Sequence, residues 1–167
     1  MKIKLAQLEL DLSDLEEIGS SKEINFQVEI PELKFRSKEI LVPRPLDLDI
    51  TVYLANESYF VSGKLQGELT LECSRCLEEF AYSIELKIEE ELEKADIRNI
   101  QKVKISDLVK NNIFLAIPIK PLCSQECEGL CPECGQNLNK KQCDCDTETF
   151  DPRLADLEKF FDDEDDK

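Results

Sequence analysis

The chain contains no histidine and no tryptophan, and aromatic residues make up only 7% of its 167 positions. Without histidine there is no Ser-His or Cys-His nucleophile system, no histidine-ligated zinc hydrolase site and no imidazole acid–base catalyst. Few hydrolytic mechanisms survive that loss, and a non-enzymatic role is expected. The scarcity of aromatic rings also removes the obvious stacking platform for single-stranded RNA. Positive charge is short as well: 21 Lys and Arg stand against 37 Asp and Glu, a formal net charge of −16. Extensive nucleic-acid binding draws its affinity from phosphate neutralisation, so this balance argues against a stand-alone RNA binder and suits a basic protein partner. No stretch approaches the roughly 18 apolar residues that a membrane helix needs. Residues 1–12 lack the apolar run of a signal peptide behind a basic start. The expectation is a cytoplasmic protein with no membrane association and no small-molecule substrate.

What the chain does have is cysteine. Six of its eight cysteines fall in the stretch CSQECEGLCPECGQNLNKKQCDC, from Cys123 to Cys145, and the other two form Cys73-Ser-Arg-Cys76. In a reducing compartment such a set points to metal ligands rather than to disulfides, which belong to small secreted domains. The middle pair, in Cys131-Pro-Glu-Cys134-Gly135, has the form of a thiolate knuckle, with proline setting the turn and glycine freeing the backbone after it. Large apolar residues are too few between Pro118 and Phe150 to form an independent core. A structural zinc can supply about 10–16 kcal/mol of apparent binding energy in small modules, enough to order such a segment.

Because all eight candidate ligands are thiols, each closed site would be a structural tetrathiolate with no open position for a catalytic water. Spacing alone leaves the pairing open, but short loops cost less to close. That favours Cys131, Cys134, Cys143 and Cys145 as one Zn2+ site, leaving Cys73, Cys76, Cys123 and Cys127 for a second. Cys143 and Cys145 stand as Cys-x-Cys, a less usual ligand pair than Cys-x2-Cys. Three other uses compete for these residues. A redox pair at Cys73 and Cys76, or a metal-transfer role, would want the helix N-terminus of a βαβ setting. An iron–sulfur reading of Cys127-x3-Cys131-x2-Cys134 lacks the chain for a barrel behind it. A nucleic-acid zinc ribbon fits the spacing but not the charge, although Lys140 and Lys141 flank the knuckle.

Periodicity places these motifs on a strand-rich frame. Residues 1–12 alternate in two phases, as an opening strand broken near Ala6 and Gln7 would. Ile24, Phe26, Val28 and Ile30 share one face of a strand, as do Leu46, Leu48, Ile50, Val52 and Leu54. Tyr59, Val61, Leu65, Leu69 and Leu71 continue the pattern, and Phe80, Tyr82, Ile84, Leu86 and Ile88 resume it after Cys76. The Cys-x2-Cys pair therefore sits at the tip of an antiparallel hairpin. Lys94 to Lys104 reads as a mobile polar linker, followed by a helix capped by Ser106 and stopped by Pro118. Asp151-Pro152 starts a further short helix.

The expected fold is α+β: an antiparallel β-meander sheet or partly closed barrel packed by one or two helices, with a C-terminal cysteine-rich zinc knuckle. The expected organisation is a strand-rich core with its covering helix over 1–121 and a cysteine-rich metal module over 122–150. A helix over 151–161 and an acidic disordered tail over 162–167 complete it.

Cys73-Ser-Arg-Cys76-Leu77, the helix ending in Leu115-Ala-Ile-Pro118, the run from Gly129 to Asn139 and Asp151-Pro-Arg-Leu154 together resemble the bacterial and plastid YceD family. Its members are linked to accumulation of large-subunit ribosomal RNA. The resemblance implies a non-enzymatic role in ribosome biogenesis, and with the closed thiolate sites and the acidic surface the expectation is a zinc-binding accessory factor. It would support large-subunit (23S) rRNA accumulation through a basic ribosomal protein or assembly factor, with any rRNA contact local. It also implies two separable sites, since many relatives keep the Cys-x2-Cys pair and differ in the later cysteines.

Overall fold

Alternating apolar residues build one long sheet in the computed structural model, which describes residues 2–30, 33–35 and 38–145. Strands β1 (Lys2–Lys4), β3 (Ser21–Glu29), β6 (Leu46–Ala55), β7 (Ser58–Glu72) and β8 (Glu79–Glu93) lie in the order β1-β3-β6-β7-β8. Because side chains alternate across a strand, Leu46, Leu48, Ile50, Val52 and Leu54 all reach one face, where each is buried. Asp47, Asp49 and Tyr53 are left on the other face, exposed. Asn56, at φ 52°, turns β6 into β7, a left-handed position that asparagine tolerates. β7 and β8 then pair over their full length, from Ser58 opposite Glu93 to Glu72 opposite Glu79.

The sheet is open, so the partly closed barrel is not formed. Its outer strands are the three-residue β1 and the fifteen-residue β8, too unequal to pair edge to edge. Nor is it wholly antiparallel, since β1 runs parallel to β3. Two smaller ladders flank it: β2 (Glu9–Leu10) with β9 (Val103–Lys104), and β4 (Leu33–Phe35) with β5 (Lys38–Ile40). The break in the opening segment is a 3-10 turn over Leu5–Gln7.

The stretch expected as a mobile linker is tied down. After a 3-10 turn at Lys94–Asp96, Val103 pairs with Leu10, the Leu12 amide donates to the Ile100 carbonyl at 2.9 Å, and the Ile105 amide donates to Leu8 at 3.2 Å. Val103 and Ile105 are buried and Ile97 packs against the core, so scattered apolar side chains in a charged run sufficed to anchor it.

One α-helix is present among the described residues, α1 (Ser106–Ala116), which puts Val109 and Ile113 into the apolar cluster with the sheet's inner face. Ser106 does not cap it. Ile105 holds the N-cap position without a side-chain cap bond, because its burial and its bond to Leu8 set where the helix begins. The helix expected over 151–161 and the tail over 162–167 lie outside the described residues. The chain divides into two compact units, residues 1–74 with 78–123 and residues 75–77 with those from 124 onward. The sheet, α1 and the apolar core belong to the first.

Candidate metal centres

The turn that joins β7 to β8 is closed by the Cys73 amide donating to the Glu78 carbonyl at 2.9 Å. It carries Leu77 at φ 60°, a left-handed backbone that a branched apolar residue adopts only where its surroundings hold it. Cys73 and Cys76 sit in this turn, both buried. They are not at a helix N-terminus, the position that a thioredoxin-like pair occupies.

In the second unit, Arg75 organises the start of the cysteine-rich stretch. Its Nη1 donates to the carbonyls of Cys127 at 2.8 Å and Gln125 at 3.2 Å, and its own carbonyl accepts from the Leu130 amide. Gly129 is at φ 82°, and a Cβ there would stand 3.2 Å from the Arg75 carbonyl oxygen. Both the backbone angle and the close approach call for glycine. The knuckle follows: the Gly135 amide donates to the Cys131 carbonyl at 2.9 Å, and the Cys131 amide to Gln136 at 2.8 Å. Gly135 takes the left-handed turn at φ 72°.

Asn139 ties the loop behind the knuckle to what precedes it. Its Oδ1 accepts from the Glu128 amide at 2.9 Å, and its Nδ2 donates to Cys127 Sγ at 3.3 Å. Asn137 turns the chain, accepting from the Asn139 amide through Oδ1 and from the Lys140 and Lys141 amides through its carbonyl.

The eight thiols gather in two groups, Cys73, Cys76, Cys123 and Cys127, and Cys131, Cys134, Cys143 and Cys145. Within each group the four sulfurs lie within 4.8 Å of one another, and none of the eight cysteines is in a disulfide. A tetrahedral zinc with Zn–S bonds of about 2.3 Å would place its sulfurs about 3.8 Å apart. Both donor sets therefore fit a soft, tetrahedral cation with small adjustments, and thiolates alone favour zinc, Cu(I) or iron–sulfur over hard cations.

The second group shows what crowding does to thiols. The backbone N–H groups of Cys134 and Glu133 beside its sulfur bring Cys131 down to about 7. Hydrogen bonding with the Cys134 thiol, together with burial, pushes Cys145 up to about 12. Cys143 is raised too: the Cys145 amide lowers it, but the Cys131 and Cys134 thiols and burial together outweigh that. One proton leaves readily and the next are held, so a cation must displace them to bind.

Spacing picked out all the thiols but not their supports. Arg75 lies some fifty residues from its acceptors, and no local signal announces that contact. Asn139 was visible only as a turn residue. Among the described residues no helix is long and apolar enough to cross a membrane.

The family model described as "Large ribosomal RNA subunit accumulation protein YceD" matches residues 61–161, a span that holds every cysteine. The chain belongs to the YceD family. The Bacillus subtilis protein YlbN is 27% identical over 152 residues, covering 84% of this chain and 88% of its own. A Mycobacterium tuberculosis protein is 29% identical over 126 residues, covering 67% of this chain and 60% of its own. The chain thus spans about 60% of the length of the mycobacterial relatives it matches. The Arabidopsis thaliana protein named "Large ribosomal RNA subunit accumulation protein YCED homolog 1, chloroplastic" is 25% identical over 146 residues, 64% of this chain and 46% of that one. No solved structure matches the chain.

Proposed function

We propose that this YceD-family chain is a non-enzymatic, zinc-binding accessory factor in ribosome biogenesis that supports accumulation of large-subunit rRNA. It acts in the cytoplasm, through basic ribosomal proteins or assembly factors. The observation that carries this reading is the family match over residues 61–161. The two four-thiol groups support the zinc part. Among the described residues each gathers four thiols, and a zinc closed by four thiolates would supply cross-linking and charge rather than a reactive water. Cys73, Cys76, Cys123 and Cys127 would hold one ion, and Cys131, Cys134, Cys143 and Cys145 the other.

The formal charge of −16 supports protein partners. A surface of that sign attracts basic segments over a Debye length and repels phosphate. Two measurements test the reading together. Depletion of the protein should lower 23S relative to 16S rRNA, and affinity capture should recover large-subunit proteins or assembly factors. Unchanged rRNA ratios, or a capture free of both, would sink it.

A second reading is favoured by one observation: Lys140 and Lys141 are exposed beside the second thiol group. If that unit touches rRNA, affinity for rRNA fragments should fall steeply with salt and fall again in the K140Q/K141Q variant.

A further inference from the structure

The outer face of the sheet carries an unexpected feature at the end nearest the β6–β7 turn. Register places Ser21, Tyr53, Phe60 and Glu91 in one row across β3, β6, β7 and β8, and Glu23, Thr51, Ser62 and Glu89 in the next. Tyr53 and Phe60 stack, with centroids 5.2 Å apart and planes 12° from parallel. Tyr53 is 42% exposed, a large aromatic surface left in water on the side away from the core. A depression of about 460 Å³ opens beside the pair, lined in part by Ser62, Glu89 and Glu91. These two rows hold three carboxylates and no cation. Among the described residues, neither Glu89 nor Glu91 takes part in an ion pair. The first lysines on this face, Lys64 and Lys87, come one row further on, and Lys64 already pairs with Glu85 at 2.7 Å.

We propose that this aromatic and acidic end of the sheet face docks an arginine-bearing basic segment of a protein partner. Phe60 and Glu91 are direct cross-strand neighbours, so a π face and a carboxylate stand about one strand spacing apart, roughly 4.8 Å. A guanidinium uses both at once: its plane stacks on the ring while its N–H fork pairs with the carboxylate. Glu89 and Glu23 hold a second cation of the same segment. Lysine, a compact hydrated point charge, gains the carboxylates but loses the stacking. A single-stranded nucleic acid could stack its bases on the same rings, but its phosphates would meet Glu23, Glu89 and Glu91 within a Debye length of about 8 Å.

The proposal rests on the reading that the partners are basic proteins, and the test separates the two. The probes are two synthetic ten-residue peptides, arginine alternating with glycine and lysine alternating with glycine, titrated into the metal-loaded full chain and followed by 15N NMR. Shifts centred on Tyr53, Phe60, Glu89 and Glu91 are expected, with the arginine peptide binding about threefold tighter than the lysine peptide. Phe60→Leu should erase that preference. Glu91→Gln, at an exposed position that leaves the core alone, should weaken both peptides and flatten their salt dependence. Shifts elsewhere, a preference that survives Phe60→Leu, or a uridine oligonucleotide that perturbs these residues more than either peptide would overturn the platform. If the wild type captures large-subunit proteins and E91Q captures them equally, the platform is wrong and the biogenesis reading stands. If the peptides bind here as described but no such protein is captured, the platform stands and that reading fails.

Discussion

Asn139 shows how much a single amide contributes to a thiolate site. One side chain accepts from the Glu128 amide and donates to Cys127 Sγ, so it fixes both the loop and the sulfur. Groups that orient ligands in this way typically account for about 10–100-fold of metal affinity. Asn139→Ala should weaken zinc binding by roughly that factor in competition with a chromophoric chelator. Gln142→Ala, which loses only an exposed contact with Glu128, should leave it within about twofold. Glu85 offers a pH readout at the same scale. Hydrogen bonding and charge from Lys64 hold its carboxyl below the usual value. Its contribution is therefore present above the unfolded pKa and is lost as pH falls through the folded one. Urea midpoints of wild type and Glu85→Gln should differ slightly at pH 7 and converge on acidification, an exposed pair being worth little.

At the scale of the element, β7 is constrained by what crosses it. Gly63 stands opposite Ile50, and a Cβ there would lie 2.9 Å from the Asp49 carbonyl oxygen. Backbone cannot yield as a side-chain tip can, so Gly63→Ala should cost about 1–3 kcal/mol of stability in urea unfolding. The 94–104 segment shows why an element can escape a reading of its pattern. Ile97, Ile100, Val103 and Ile105 stand among charged and polar residues at spacings of three, three and two, which sustain neither a strand period nor a helical one. The burial of Val103 and Ile105 and the β2–β9 ladder exist only once residues 8–12 come alongside. Hydrogen exchange should find the Leu12 and Ile105 amides protected well beyond neighbours in Arg98–Lys102; exchange at loop rates would contradict the pairing. The long strands, by contrast, were plain in the alternation at Leu46–Leu54, because a sheet buried on one face imprints a period of two on every strand.

For the whole molecule, two units with different sources of stability should respond to different insults. The first has an apolar core running from Leu8 to Ile117; the described residues 124–145 include few buried apolar side chains and gather thiols instead. Native mass spectrometry should find two zinc ions in the wild type and one in Cys134→Ser. In that variant the NMR dispersion of the second unit should be lost while the sheet signals persist. Acidification should release the metal, since protons compete for every thiolate.

The sequence by itself brought out the thiols: eight cysteines without a histidine favour all-cysteine donor sets, and the eight-residue loop from Gly135 to Gln142 favours joining Cys131 and Cys134 to Cys143 and Cys145. It also determined the strands, through a periodicity that burial on one face requires. Tertiary structure alone decided that the sheet stays open, that β1 joins it in parallel, that Arg75 braces the cysteine loop and that Tyr53 stacks on Phe60 beside Glu91. Each of these joins residues remote in the chain or depends on cross-strand register, and contacts between such residues leave no period and no local motif by which to read them.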